Sequence, residues 1–202
     1  MSAIAALILA AGQGSRFGGC KPLARVAGGS LLQRSIDQAR RLLPQDVFVV
    51  SGAWHQALDQ ARQRGELNGA TLLHHPGWVD GLGSSLAFGV AQLASAYQGI
   101  LVMLADQVAV THRELARLLE PFDGGNIVCG WYGGRRGVPA LFGANSFSRL
   151  QALSGDQGAK ALLYDPGMPV CECPMPAAAI DIDTRSQLDR WRENGHLINE
   201  PD

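Results

Sequence analysis

The chain has 202 residues, 47% of them hydrophobic, with 17 basic and 18 acidic side chains and a net charge of −1. That length and apolar content suit one sizeable core, and no linker of biased composition divides it. The balanced charge offers no broad basic field for nucleic acid, and no apolar run reaches the roughly 20 residues of a membrane helix, so neither is expected as a partner.

The first segment, Ala3 to Ala11, is an unbroken apolar run with no basic leader, and it passes directly into a glycine loop, which argues against a signal peptide. Its length and lack of alternation predict a β-strand covered on both faces. The loop Gly12-Gln13-Gly14-Ser15-Arg16-Phe17-Gly18-Gly19-Cys20-Lys21-Pro22 then starts at the strand's carboxyl end, where open α/β sheets bind ligands. Glycines let main-chain N–H groups from Gly12 to Gly18 approach phosphate oxygens, and Arg16 and Lys21 add positive charge. Two common phosphate motifs fail by specific residues. A dinucleotide fingerprint from Gly12 needs glycine at Phe17, and a Walker loop from Gly14 puts Cys20 before Lys21 and Pro22 in place of the magnesium-binding hydroxyl.

Ser30 caps a predicted helix over 31–43 that Pro44 ends, and a strand follows at Val47 to Val50. Trp54 to Arg64 reads as a second helix closed by Gly65, and Ala70 to Leu73 as a third strand. His74 and His75 have no spaced partners for a zinc site and are expected at the surface. In Trp78-Val79-Asp80-Gly81-Leu82-Gly83-Ser84-Ser85-Leu86, two glycines and two serines precede a helix over 84–96, with N–H groups and hydroxyls suited to an anion or a base edge, or to plain helix capping by Ser84. The strand Ile100 to Ala105 delivers Asp106 to the same edge as the glycine loop. A carboxylate there reaches a magnesium ion on a triphosphate; capping the next turn is the plainer role.

Thr111 caps a helix over 112–120, and Ile127 to Gly130 is a further strand. Beyond it the order loosens: a strand at Val138 to Phe142, helices at 144–153 and 158–163, extended segments at 169–173 and 177–182, and a helix at 185–194. Of Arg135 and Arg136, adjacent and opposite in direction, one at most meets a phosphate. Gly155-Asp156-Gln157-Gly158-Ala159-Lys160 offers a further helix N-terminus to an anion. Cys171 and Cys173 are spaced as CxC without a second pair and read as ordinary reduced thiols. In Asp181-Ile182-Asp183-Thr184, strand alternation turns both carboxylates to one face; Asp183 is the candidate second metal ligand, Asp181 its substitute, and helix capping the alternative. Alternating βα order predicts an α/β fold: a Rossmann-like αβα three-layer arrangement around a mostly parallel sheet, with a C-terminal substrate-facing region that adds edge strands and admits an antiparallel member. One domain is expected over 1–202, with a nucleotide half to about 110 and an acceptor half after it.

Leu9-Ala10-Ala11-Gly12 with the spacing through Lys21-Pro22, Gly81-Leu82-Gly83-Ser84-Ser85, Leu104-Ala105-Asp106, Gly137-Val138-Pro139 and Gly155-Asp156 resemble, in order, the signatures of molybdopterin nucleotidyltransferases, and of molybdenum cofactor cytidylyltransferases in particular. The resemblance implies transfer of CMP from CTP to the phosphate of molybdopterin with release of pyrophosphate, and a molybdoenzyme as recipient of the product; the unpaired cysteines make the cytoplasm the expected compartment. It assigns Leu9, Ala10, Ala11, Gly12, Gly14, Ser15, Arg16, Lys21, Gly83, Ser84 and Ser85 to the nucleotide, with Arg16, Lys21 and Asp106 as catalytic groups. Asp106 and Asp183 would hold Mg²⁺ or Mn²⁺, and Arg135, Gly137, Pro139, Asp156 and Lys160 would face the acceptor. Relatives using GTP read Leu-Ala-Gly-Gly, so the methyl of Ala11 favours a pyrimidine by about 1–3 kcal/mol at most. So small a discrimination leaves open a GTP-dependent or sugar-phosphate nucleotidyltransferase of the same fold, and departures at His75, Val108, Val138 and Lys160 leave open a non-catalytic nucleotide-binding protein or cofactor chaperone.

Overall fold

The computed structural model describes residues 3–194. Its main sheet holds β1 (Ile4–Ala10), β4 (Val47–Ser51), β5 (Thr71–His74), β6 (Gly99–Leu104), β7 (Ile127–Tyr132), β8 (Arg135–Gly143) and β9 (Val170–Pro174) in the order β5-β4-β1-β6-β8-β7-β9. All run parallel except β8, which pairs antiparallel with both β6 and β7. A separate two-stranded ribbon joins β2 (Arg25–Val26) to β3 (Gly29–Ser30). The helices are α1 (Leu31–Arg40), α2 (His55–Gln63), α3 (Leu82–Leu93), α4 (His112–Leu119), α5 (Phe147–Gln151), α6 (Lys160–Leu163) and α7 (Arg185–Asn194). None is long and apolar enough to cross a membrane among the described residues.

The continuous apolar run of β1 has its reason in the layers. Ala6, Ile8 and Ala10 face one core with Leu32, Ile36 and Leu58 of α1 and α2 and with Leu115 and Leu118 of α4. Ala5, Leu7, Leu9 and Ala11 face the other, with Leu86 and Val90 of α3 and Phe147 and Leu150 of α5. A strand buried on both sides has no polar alternation to show. A third cluster of Phe17, Val26, Leu31, Val108, Ile182 and Leu188 lies under the glycine loop. It joins the loop to the ribbon, to the segment after β6 and to α7, so the loop rests on a packed base rather than hanging from β1.

Several boundaries move for local reasons. Helix α1 stops at Arg40, and turns bonded to Ala39 O carry the chain to Pro44. The ribbon β2–β3, turned at Gly28 and Gly29, has no counterpart in the expected strands. The predicted helix at 144–153 is a 3-10 turn, Ala144–Ser146, followed by the short α5. The 177–182 segment forms no strand. Pro176–Ala179 forms a 3-10 turn and residues 180–184 join no strand, so no strand alternation turns Asp181 and Asp183 to one face, and only Asp183 lines the main cleft. Pro139 sits inside the sheet on β8, next to the register shift between Cys129 and Gly130 of β7, where an absent N–H is tolerated.

Candidate active site

The carboxyl ends of β1 and β6 open into a cleft of about 550 Å³, within the 300–1,000 Å³ range of small-molecule sites. Its lining includes Leu9, Ala10, Ala11, Gly12, Gly14, Ser15, Arg16, Lys21, Ser85, Asp106, Asp156 and Asp183 from the expected set. At its floor Lys21 Nζ lies 2.6 Å from Asp106 Oδ2 and 2.9 Å from Asp183 Oδ1. Arg16, 78% exposed, reaches Asp183 Oδ2 at 3.1 Å. Burial works against the Lys21 ammonium, but the paired carboxylates outweigh it and raise its pKa. The hydrogen bond from Lys21 is the main cause holding Asp183 below the ordinary carboxylate range, despite opposing burial. Asp181 is exposed and lies outside this cleft.

Two carboxylates around one ammonium form a site for positive charge. Asp106 Oδ1 is buried and accepts no hydrogen bond among the described residues. An acceptor kept in that state at a cleft floor fits a divalent cation, since Mg²⁺ takes one or two protein carboxylates and completes its shell with phosphate oxygens and water. No larger group of three histidine, cysteine or acidic ligands occurs among the described residues. Cys171 and Cys173 are free thiols.

The glycine loop spends part of its hydrogen-bonding capacity on its own shape. Gly14 and Gly18 have positive φ, and the N–H groups of Phe17 and Gly18 both donate to Gly14 O, at 2.9 and 3.1 Å. The expectation of a continuous amide cradle from Gly12 to Gly18 is corrected: the Phe17 and Gly18 donors are committed to the turn. Three contacts pin the loop from outside. Trp54 Nε1 donates to Gln13 O at 2.9 Å, Arg185 Nη2 donates to Gly18 O at 3.2 Å, and the Arg185 guanidinium stacks over Phe17.

The Gly81–Ser85 loop departs more from the sequence reading. Helix α3 begins at Leu82 with Gly81 as its N-cap at φ 101°, so Ser84 is inside the first turn and does not cap. The Ser84 hydroxyl shares a 2.9 Å hydrogen bond with His75 Nε2, and the Ser85 hydroxyl donates back to Gly81 O at 3.2 Å. Gly83 donates its N–H to Gly155 O at 2.8 Å, and a Cβ there would stand 2.6 Å from Gln157 O. Glycine at 83 is thus required by close packing against the 154–157 loop, which brings Asp156 to the cleft. Gly83 and Ser84 themselves are not among the lining residues.

His75 is not at the surface. It is buried, stacked on Phe88 with ring centroids 4.6 Å apart. Burial lowers its pKa, opposed by nearby Asp80 and assisted by His74. With the folded pKa depressed, the contribution of neutral His75 to stability is present above the unfolded value of about 6.5 and is lost as pH falls toward the folded value. The thermal midpoint is expected to drop between about pH 7.5 and 5.5 by more in the wild type than in His75→Gln. Parallel midpoint curves from circular dichroism would rule this out.

The acceptor candidates scatter. Arg136 ion-pairs with Glu172 at 2.7 Å, donates to Leu163 O and covers the Tyr164 ring, so it ties β8 to β9 and α6. Arg135 and Lys160 are exposed, and with Gly137 and Pro139 they lie outside the cleft lining. Helix α6 is four residues long and starts at Lys160, so no sustained helix N-terminus is formed at 158. Residues that sequence reasoning passed over include Trp78, Val79 and Leu82, which line the cleft. Val79 is 70% and Leu82 44% exposed, an apolar lip to the cleft. Apolar residues set within a glycine loop were the available signal.

The MobA-like NTP transferase domain matches residues 6–169. The chain belongs to that family. The MobA-like NTP transferases are nucleotidyltransferases, and the matched region takes in β1 from Ala6 onward, β2 to β8, the Gly12–Lys21 loop and Asp106. The bifunctional protein GlmU of Mycobacterium marinum is 32% identical over 124 residues, 57% of this chain and 25% of GlmU. The match therefore spans about a quarter of the length of that curated relative. Rv0371c from Mycobacterium tuberculosis H37Rv is 26% identical with a TM-score of 0.81, covering 95% of this chain and 98% of its own. A complex of Rv0371c with manganese gives a TM-score of 0.77 at 24% identity, covering 95% and 99%. Molybdopterin-guanine dinucleotide biosynthesis protein A from Archaeoglobus fulgidus shares the fold, with a TM-score of 0.67 at 17% identity over 95% and 98% of the two chains.

Proposed function

We propose that this MobA-like chain transfers CMP from CTP to the terminal phosphate of molybdopterin and releases pyrophosphate. The observation that carries this reading is the Lys21–Asp106–Asp183 cluster at the floor of the cleft, directly below the glycine loop. The acceptor phosphate oxygen attacks the α-phosphorus, and the bond to the pyrophosphate oxygen breaks, so no protein nucleophile is needed. Arg16, Lys21 and the uncommitted loop amides hold the triphosphate and offset its charge. Asp106 and Asp183 would hold the divalent ion, which when bound supplies charge neutralisation between donor and acceptor phosphates. The manganese complex of the structural relative Rv0371c supports a divalent ion, and Mg²⁺ is the ion proposed. The apolar lip of Val79 and Leu82 suits a flat heterocycle, and Asp156 stands on the cleft wall. Residues up to about 110 form the nucleotide half in this reading, and Arg135, Gly137, Pro139 and Lys160 the more distant acceptor half.

Base choice rests on Ala11, which lines the cleft. Pyrophosphate release measured with each nucleoside triphosphate and molybdopterin is expected to be fastest with CTP. Ala11→Gly should improve GTP relative to CTP by about 10-fold or more, the worth of one methyl contact. A wild-type preference for GTP would instead support the guanylyl reading, which the likeness to the Archaeoglobus fulgidus protein favours. Release with a sugar phosphate alone would move the assignment to that acceptor class. Absence of release under every condition would make the chain a binding protein.

A further inference from the structure

Gln107 follows Asp106 directly and is buried, yet it is not among the residues lining the cleft. Its Nε2 donates to carbonyls from two distant parts of the chain: Val138 O on β8 at 2.8 Å and Ala178 O at 2.9 Å. Val138 O has a second donor in the Tyr132 hydroxyl, at 2.7 Å. That ring sits where Gly137 leaves room, since a Cβ on Gly137 would stand 2.3 Å from Tyr132 Oη. The backbone adds a second link to the same segment, with the Ile182 N–H donating to Asp106 O at 3.0 Å.

Asp183 follows Ile182, and residues 180–184 belong to no strand, so no ladder of sheet hydrogen bonds sets its place. Besides its ion pairs with Lys21 and Arg16, its position is set by the Ile182 side chain in the cluster under the glycine loop, by Gln187 Oε1 accepting from the Asp183 and Thr184 N–H groups, and by the two links to residues 106 and 107. The Asp106 backbone holds one end of the 178–182 segment and the Gln107 side chain holds the other. From this geometry we infer that Gln107 is a positioning residue that fixes Asp183 against Asp106, and with it the spacing of the two carboxylates that share Lys21. The inference rests on the proposed reading of those carboxylates as cation ligands. Partners that orient metal ligands without touching the metal are typically worth about 10–100-fold in metal affinity.

The test is Mn²⁺ binding to the full chain, followed by the electron paramagnetic resonance signal of the free ion. Gln107→Met keeps the side chain's bulk and removes both donors; it is expected to weaken Mn²⁺ binding by about 10–100-fold. Gln107→Asn, one methylene shorter and unable to span both carbonyls, is expected to weaken it in the same direction and serves if the methionine variant does not fold. Tyr132→Phe removes a donor to Val138 O and the longer, 3.4 Å contact that the Tyr132 hydroxyl accepts from Gln107 Nε2, while leaving both carbonyl links of Gln107 in place. It should lower the thermal midpoint yet keep Mn²⁺ affinity within about twofold of the wild type. Unchanged affinity in both Gln107 variants, or equal losses in Gln107 and Tyr132 variants, overturns the positioning role. Mn²⁺ binding undisturbed by Asp106→Asn overturns instead the underlying reading of the carboxylates.

Discussion

Lys21→Met is expected to lower nucleotidyl transfer by about 10²–10³-fold, the usual effect of deleting one preorganised group that meets developing charge, while Mn²⁺ binding to the nucleotide-free protein becomes tighter. The two effects oppose each other because Lys21 has two roles. In the free protein its ammonium sits between Asp106 and Asp183, 2.6 and 2.9 Å from their oxygens, where it competes with any cation for the same carboxylates. In the proposed reading, a triphosphate arriving under the glycine loop would offer Lys21 a second anion, draw the ammonium away and open the carboxylates to the metal. Methionine has nearly the same length and no charge. It leaves Asp106 without its cation and Asp183 with only the exposed Arg16, a state relieved by a divalent ion. Single-turnover rates and a Mn²⁺ titration of the same preparation check the pair of effects. A variant that loses activity and also binds Mn²⁺ more weakly would show that Lys21 supports the cation site rather than competing with it.

Asp106→Asn is expected to reduce transfer by at least about 10²-fold and to abolish the dependence of the rate on divalent ion, with the fold retained. Asp106 Oδ2 carries the Lys21 ion pair, and its buried Oδ1 has no hydrogen-bond partner among the described residues. The amide keeps the shape and still offers Lys21 an oxygen, so the substitution removes charge rather than packing. Nucleotide binding without metal should change little, because Lys21, Arg16 and the loop are untouched. Rates across a Mg²⁺ series with a circular dichroism melt decide the point. Turnover within about threefold of the wild type would remove Asp106 from the chemistry.

How far the site could be read from sequence varies along the chain. The glycine loop was accessible because strand, turn and charges are contiguous, and the failed dinucleotide and Walker spacings narrowed it further. Asp106 was accessible because an apolar strand must deliver its next polar residue at the sheet edge. His75 was misplaced: its burial depends on Phe88 and Ser84 folding over it from α3, and a histidine before a proline carries no mark of that. The serine hydroxyls of the Gly81–Ser85 loop were expected to face a ligand, but helix α3 starts two residues earlier than the serines suggest and both hydroxyls are used internally. Arg136 had the chemistry of a phosphate binder, and β9 and α6 supplied Glu172 and Tyr164 instead.

What the sequence determined by itself was the fold class, the sheet edge that carries the site and the chemical types assembled there. These follow from hydrophobic periodicity, glycine spacing and the place where charged residues interrupt apolar strands, all local properties of the chain. Only the tertiary structure decided that Lys21 bridges Asp106 and Asp183, that Asp183 rather than Asp181 enters the cleft, and that Gln107 ties β8 and the turn before Asp183 to the end of β6. The partners in those contacts lie up to 162 positions apart. Which side chain fills a given donor's vacancy over such a separation depends on how the layers pack, and local periodicity carries no record of that.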